Sequence, residues 1–341
     1  MTYANALLAV MWLAVTAYAL LAGADFGAGI WDLLAGSSKR GASQRSLIEH
    51  SIGPVWEANH VWLIFVLVIM WTAFPPLFAA VSSTLYIPLT LIALGVIARG
   101  SAFAFRKVVS ELWQRRLFGA VFAFSSVVTP FFLGATAGAV ASGRVPPGIG
   151  RGDSMTSWTG PVSILAGCFA VVVCGYLAAV YLTADARRAG DSSLTELFRR
   201  RALGSGVVVG AVAAAGLVVV HGNAPRLYDG LSGKALPLVI VSVAAGLASI
   251  GLLVLRRFTA VRVSAALAVT AVLWAWGVAQ YPHLLLPGLT VASAAAPHAT
   301  LTVTTGCVIV GMLVLLPSLG WLFVLFQRTP GRAADATGSG E

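Results

Sequence analysis

In this chain of 341 residues, Asp25, Glu57, Asn59 and His60 combine types and spacing suited to passing protons. Asp25 lies near the end of one long apolar run and Glu57 near the start of the next. Glu57 and His60 are three apart, which places them on one face of a helix, with Asn59 beside them. A carboxylate, an imidazole and an amide near a cytoplasmic opening are parts that a proton route uses, and a charge held at membrane depth costs at least about 2.5–3.5 kcal/mol. Asp25 and Glu57 are expected at similar depth, in reach of one polar pocket. A helix end offers a plainer account of Glu57: Pro54 suits a first helical position, and an anion just past the first turn is favoured there. Ser46 and Glu49 have capping-box spacing, so an earlier start, with Pro54 as a kink and Glu57 deeper, also fits. Asp32, beside Trp31, reads as an interfacial residue.

The elements that position these residues must be membrane helices. With 58% hydrophobic and 10% charged residues, the chain has too little polar surface to cover a water-soluble globule of its length. A helical crossing needs about 20 apolar residues. Nine stretches of that kind occur, near 5–31, 54–74, 77–98, 117–142, 160–183, 203–221, 236–255, 261–281 and 300–326. The short alternating segments of a membrane barrel are not seen, so an all-α integral membrane fold is expected, and the count divides into two four-helix units plus a final helix. The first stretch follows Met1 without a basic leader and reads as helix one. Residues 1–326 form one membrane domain in this reading. Residues 327–341 form a cytoplasmic, disordered tail, and the longest connections fall near 184–202 and 282–299.

A formal charge of +10 would suit nucleic acid, but the 22 Lys and Arg residues are distributed otherwise. Nine crossings put all of them on one side except Arg144, Arg151, Arg226 and Lys234. Basic residues are retained in the cytoplasm during insertion, so the N-terminus is expected outside and the C-terminus inside. Clusters such as Arg199–Arg200–Arg201 then face anionic headgroups, and no nucleic-acid partner is expected.

Of five histidines, His221, His283 and His298 fall at or beyond outer ends of spans and His50 at an inner end. His60 alone lies inside a span, without a partner at matching depth for bis-imidazole haem ligation. A single ligand paired with Met or a carboxylate stays open on the residues alone. No HExxH or nucleotide-binding glycine motif is present, and Gly23 and Gly27 read as close-packing positions. Cys168, Cys174 and Cys307 read as small buried thiols, so neither a metal centre nor a disulfide is expected.

GADFGAGIWDL at 23–33 and IGPVWEANHVWLI at 52–64 resemble the two N-terminal signatures of cytochrome bd-type quinol oxidase subunit II. The likeness continues through ARGSAFAFR at 98–106, LGATAGAVASG at 133–143 and QYPHLLLPGLTVASAAAPHATLTV at 280–303. It implies a subunit without haem of its own. A haem-bearing subunit I, with two b-type haems and one d-type haem, oxidises quinol and reduces dioxygen to water in the bacterial inner membrane, while protons are drawn from the cytoplasm. Subunit II would stabilise that partner and contribute polar groups to the proton route. The resemblance also allows small accessory single-helix subunits and a bound structural quinone. By motif, Asp25 is the acidic residue of helix one and Glu57 the carboxylate after Trp56, while Trp62, Arg99 and Arg106 are motif positions.

Two departures stand out. Glu57 occurs in WEAN where many members have aspartate then glycine, and Ala104 replaces an acidic residue that many relatives hold in FAFR. A proton route through that carboxylate cannot run unchanged, and Arg99, Arg106 and Lys107 nearby read as possible inside-facing anchors. The rival reading is a polytopic secondary transporter or channel, which also buries a few carboxylates.

Overall fold

In the computed structural model, which describes residues 2–36, 41–52, 56–109 and 111–327, the chain is almost entirely helical. α1 (Tyr3–Leu33), α2 (Ala42–Ile52), α3 (Trp56–Ala73), α4 (Pro75–Thr84), α5 (Tyr86–Val108) and α6 (Leu112–Ala141) build the first part. α7 (Pro161–Arg188), α8 (Ser192–Asn223), α9 (Pro225–Ser232), α10 (Leu236–Val254) and α11 (Phe258–Gln280) build the second. A two-stranded hairpin, β1 (His283–Leu285) with β2 (Leu289–Thr290), and the short α12 (Val291–Ala294) lead into α13 (His298–Gln327). Among the described residues eight helices are long and apolar enough to cross a membrane, or nine if the bent pair α3–α4 counts as one span.

That bend corrects the expected third span at 77–98. Pro75 and Pro76 cannot continue α3, so it ends at Ala73 and α4 leaves at 118° to it. Pro88 has no N–H to offer Thr84 O, and the chain breaks again before α5, whose apolar length runs over 86–106. The carbonyl of Ala73 is not left bare, because the N–H of Ala296 donates to it at 2.9 Å.

The expected connection at 184–202 is corrected too. α7 continues to Arg188 and α8 begins at Ser192, capped by Asp191, whose side chain accepts from the Leu194 N–H. Those bonds hold the Asp191 carboxyl below the usual carboxylate range. Glu196 pairs with Arg199 and Arg200 at helical spacing, which sustains the turns outside the apolar stretch. Ser46 and Glu49 fall inside α2, which begins at Ala42, so their spacing does not mark a helix start. Pro54 and the tail from 328 lie outside the described residues.

α1 packs against α3, α6 and α7, and α5 against α6. α7 reaches across to α8 and α11, while α10 pairs with α11. α13 leans mainly on α3 and α1 and remains largely uncovered in the isolated chain.

Candidate functional site

The GADFGAG segment explains how four helices meet around Asp25. A Cβ at Gly27 would fall 1.8 Å from the carbonyl oxygen of Cys174, so only glycine lets α1 cross α7 here. At Gly29 a Cβ would fall 2.1 Å from Ser126 Oγ, so that glycine admits the α6 serine. Beside this crossing, Trp31 Nε1 donates to Gly175 O at 2.8 Å, which fixes the lower part of α1 on α7.

Asp25, half-buried on α1, accepts a hydrogen bond at Oδ2 from Asn59 Nδ2 of α3. Arg99 of α5 reaches the same point and is only 2% exposed. Its Nη2 donates to the backbone oxygen of Asp25 at 2.9 Å and its Nε to Ser126 Oγ at 3.1 Å. Ser126 in turn donates to Phe122 O at 2.7 Å. The guanidinium carbon lies 4.9 Å from the ring centres of both Phe26 and Phe122, so two aromatic faces clamp it. Arg99 is therefore a core residue and not an inside-facing anchor, a correction that leaves the charge asymmetry intact.

His60 lies on the next step of α3. Its Nδ1 is 3.4 Å from Tyr18 Oη, and its ring packs against Tyr18 and Phe26. Trp62 is nearly buried, in an apolar cluster with Ala14, Tyr18, Ala22, Phe26 and Cys174. The side chain of Trp56 is outside the described residues. Among the described residues no group of three His, Cys, Asp or Glu is arranged to hold a metal, and His60 is packed into a hydrogen-bonded aromatic corner. These residues do not fit a bis-imidazole haem pocket.

Seven residues further along α1, Asp32 is 6% exposed and meets Arg106 Nη1 at 2.9 Å, with Arg45 Nε at 3.5 Å. Arg106 also reaches Glu49 at 3.1 Å, so α1, α2 and α5 are joined at the arginine-rich end. Asp32 is thus a buried, ion-paired residue. Arg106 pairs with acids and does not act as a bare anchor.

Glu57 does not join Asp25 in one pocket. It occupies the first turn of α3 with an exposed side chain, and the residue that reaches Asp25 is Asn59. Ala104 is exposed, and at 3.6 residues per turn it is about 140° around α5 from Arg99. The carboxylate missing from FAFR would therefore point away from Asp25.

Tyr18 and Ser126 are members of this site that the residue types alone did not single out. A signal was present in the spacing: Tyr18, Asp25 and Asp32 recur every seven residues, as do Arg99 and Arg106, and seven residues return nearly to one helix face. The arrangement offers an ionisable carboxyl with amide, imidazole and phenol neighbours inside an apolar bundle, a set able to hold and release a proton away from bulk water.

Comparison with known proteins gives one consistent picture. A family model described as cytochrome bd terminal oxidase subunit II matches residues 3–326. Cytochrome bd ubiquinol oxidase subunit 2 of Bacillus subtilis (strain 168) is 36% identical over 114 residues, which is 33% of each chain. A putative cytochrome bd menaquinol oxidase subunit II of the same organism is 22% identical over 331 residues, 94% of each chain. The solved bd oxidase from Geobacillus thermodenitrificans has a chain with the same fold, at TM-score 0.73 and 24% identity, covering 96% of this chain and 99% of that one.

Proposed function

We propose, for a chain that belongs to the cytochrome bd terminal oxidase subunit II family, a role as the haem-free subunit of a quinol oxidase in the bacterial cytoplasmic membrane. In this role it stabilises the haem-bearing subunit I and contributes Asp25 to the uptake of cytoplasmic protons. The bound haems of the partner supply the chemistry of quinol oxidation and dioxygen reduction. This chain's own residues take up and pass on a proton at Asp25 and orient that carboxyl through Asn59. The observation that carries the proton role is the carboxyl of Asp25 inside the bundle, held by Asn59 at Oδ2 while Oδ1 has no hydrogen bond among the described residues.

The proposal includes nine spans, with α3–α4 as one bent crossing, the N-terminus outside, and residues 327–341 as a cytoplasmic tail. It leaves room for accessory single-helix subunits and a structural quinone. Its orientation can be read directly. Asp153→Cys, in the connection between α6 and α7, is expected to react with a membrane-impermeant maleimide on intact cells, and Arg188→Cys only after lysis. The reverse pattern would invert the topology.

Coexpression with a subunit I should yield a complex with quinol-driven oxygen consumption. The isolated, folded chain should contain far less than one haem per polypeptide in a pyridine-haemochrome assay. One haem per isolated chain would contradict the assignment of the haems to the partner, and failure to copurify with any haem subunit would remove the oxidase role.

A further inference from the structure

The spacing that puts Asp25 and Asp32 on one face of α1 is repeated by Arg99 and Arg106 on α5, and each arginine reaches the residue 74 positions before it. Two rungs therefore join the helices, and they are built differently. In the outer rung guanidinium meets carboxylate: Arg106 is 2.9 Å from Asp32 Oδ2, and the two charges offset each other. In the inner rung Arg99 spends its hydrogen bonds on the backbone oxygen of Asp25 and on Ser126 Oγ, and among the described residues no carboxylate oxygen lies within ion-pair distance of it.

An arginine 2% exposed and without an ion pair is expensive unless a negative charge lies close by. The acidic groups in electrostatic reach of Arg99 are Asp25, Tyr18 and Cys174, of which a carboxyl is the acid that ionises at neutral pH. Around Asp25 and Arg99 of α5 the polar groups among the described residues are Asn59 and His60 from α3, Ser126 from α6, Cys174 from α7 and Tyr18 from α1 itself. Arg99 is the one cation fixed among them.

We propose that Arg99 is a positioning residue for Asp25, a fixed internal counter-charge that keeps the resting carboxyl ionised while leaving Oδ1 open to an incoming proton. The two phenylalanine faces and Ser126 hold the guanidinium so that it acts through space and does not close on the carboxylate. Asp25 then rests empty and gives up each proton it takes. With the cation removed, the desolvated carboxyl would keep its proton and stop relaying. This extends the proton-uptake reading of Asp25 and rests on it.

The first test uses the assembled wild-type oxidase. Infrared difference spectra against Asp25→Asn at neutral pH should contain no protonated-carboxyl C=O band from Asp25, and such a band would overturn the proposal. The second is a double-mutant cycle followed by haem-normalised oxygen consumption across pH. Arg99→Gln should slow turnover by about 10²-fold, as expected when the proton-transfer group it serves, Asp25, is disabled. It should add little in the Asp25→Asn background, and Arg99→Lys should recover most of the rate. Equal losses in both backgrounds, or Lys as poor as Gln, would leave Arg99 a packing residue. Should Asp25→Asn itself respire normally at every pH, the proton-uptake reading fails. The same infrared comparison made in the Arg99→Gln enzyme, where the protonated-carboxyl band of Asp25 should appear, would still decide whether Arg99 sets the charge of Asp25.

Discussion

Gly27→Ala should prevent recovery of a stable complex, the largest effect expected from a single methyl group in this chain. The new Cβ would lie 1.8 Å from Cys174 O, 2.4 Å from its carbonyl carbon and 2.7 Å from the Cβ of Ala178. Two of those atoms are backbone, so no side-chain rotation relieves the overlap and α1 must lift from α7. Overpacking of this kind costs about 1–3 kcal/mol and at times more, a large share of a total stability of about 5–15 kcal/mol. Lifting α1 also breaks the Trp31–Gly175 bond and displaces Asp25 from Arg99. Gly23→Ala is the control one turn away, where the added Cβ finds Cys174 Sγ at 3.6 Å and Leu177 at 3.7 Å, ordinary contact distances. Yield and thermal unfolding of the purified complex should separate the two, and a Gly27→Ala complex that melts with the wild type would refute the α1–α7 geometry.

The second large effect is on turnover. Asp25→Asn preserves size and the bond to Asn59 after an amide flip but removes the titrating proton. Assembly should survive, while haem-normalised quinol oxidation falls by on the order of 10²-fold, the lower range for positioned proton-transfer groups. Glu57→Gln should have the smaller effect, because Glu57 is exposed in the first turn of α3 and its charge there interacts mainly with the helix end. Its loss should appear as a change in stability of about 0.3–1 kcal/mol, with near-normal rates. Wild-type turnover by the Asp25→Asn enzyme at all pH values would end the claim for Asp25. A Glu57 defect larger than the Asp25 defect would return the entrance to α3.

The ranking of those two carboxylates shows what the sequence could reveal. Composition and the one-sided arginines displayed the membrane helices, because lipid imposes length and polarity on every crossing. The depths of Asp25 and Glu57 followed from that, but depth is not direction. One residue of rotation decides whether a side chain on α3 meets α1 or faces outward, and it is Asn59 and His60 that turn inward. Pro75, Pro76 and Pro88 were visible as residues, yet an apolar window averages over them, which hid the break between α4 and α5. The same averaging made a loop of 184–202, whose charged turns remain helical. Arg99 looked like part of a basic loop because its shelter, Phe26, Phe122 and Ser126, comes from other helices.

The hydrogen bond from Ala296 to Ala73 bears on the order in which the molecule can be finished. Its acceptor is made when α3 ends, whereas its donor is synthesised more than two hundred residues later, just ahead of α13. Until then the break between α3 and α4 lacks this donor for the carbonyl of a residue that ends fully buried. Synthesis of the last connection both closes that gap and sets down the start of α13 beside Tyr3, where His298 meets its ring edge-on at 5.4 Å. A chain that stops after α11 therefore lacks the partner of a backbone carbonyl far in sequence from where it was cut.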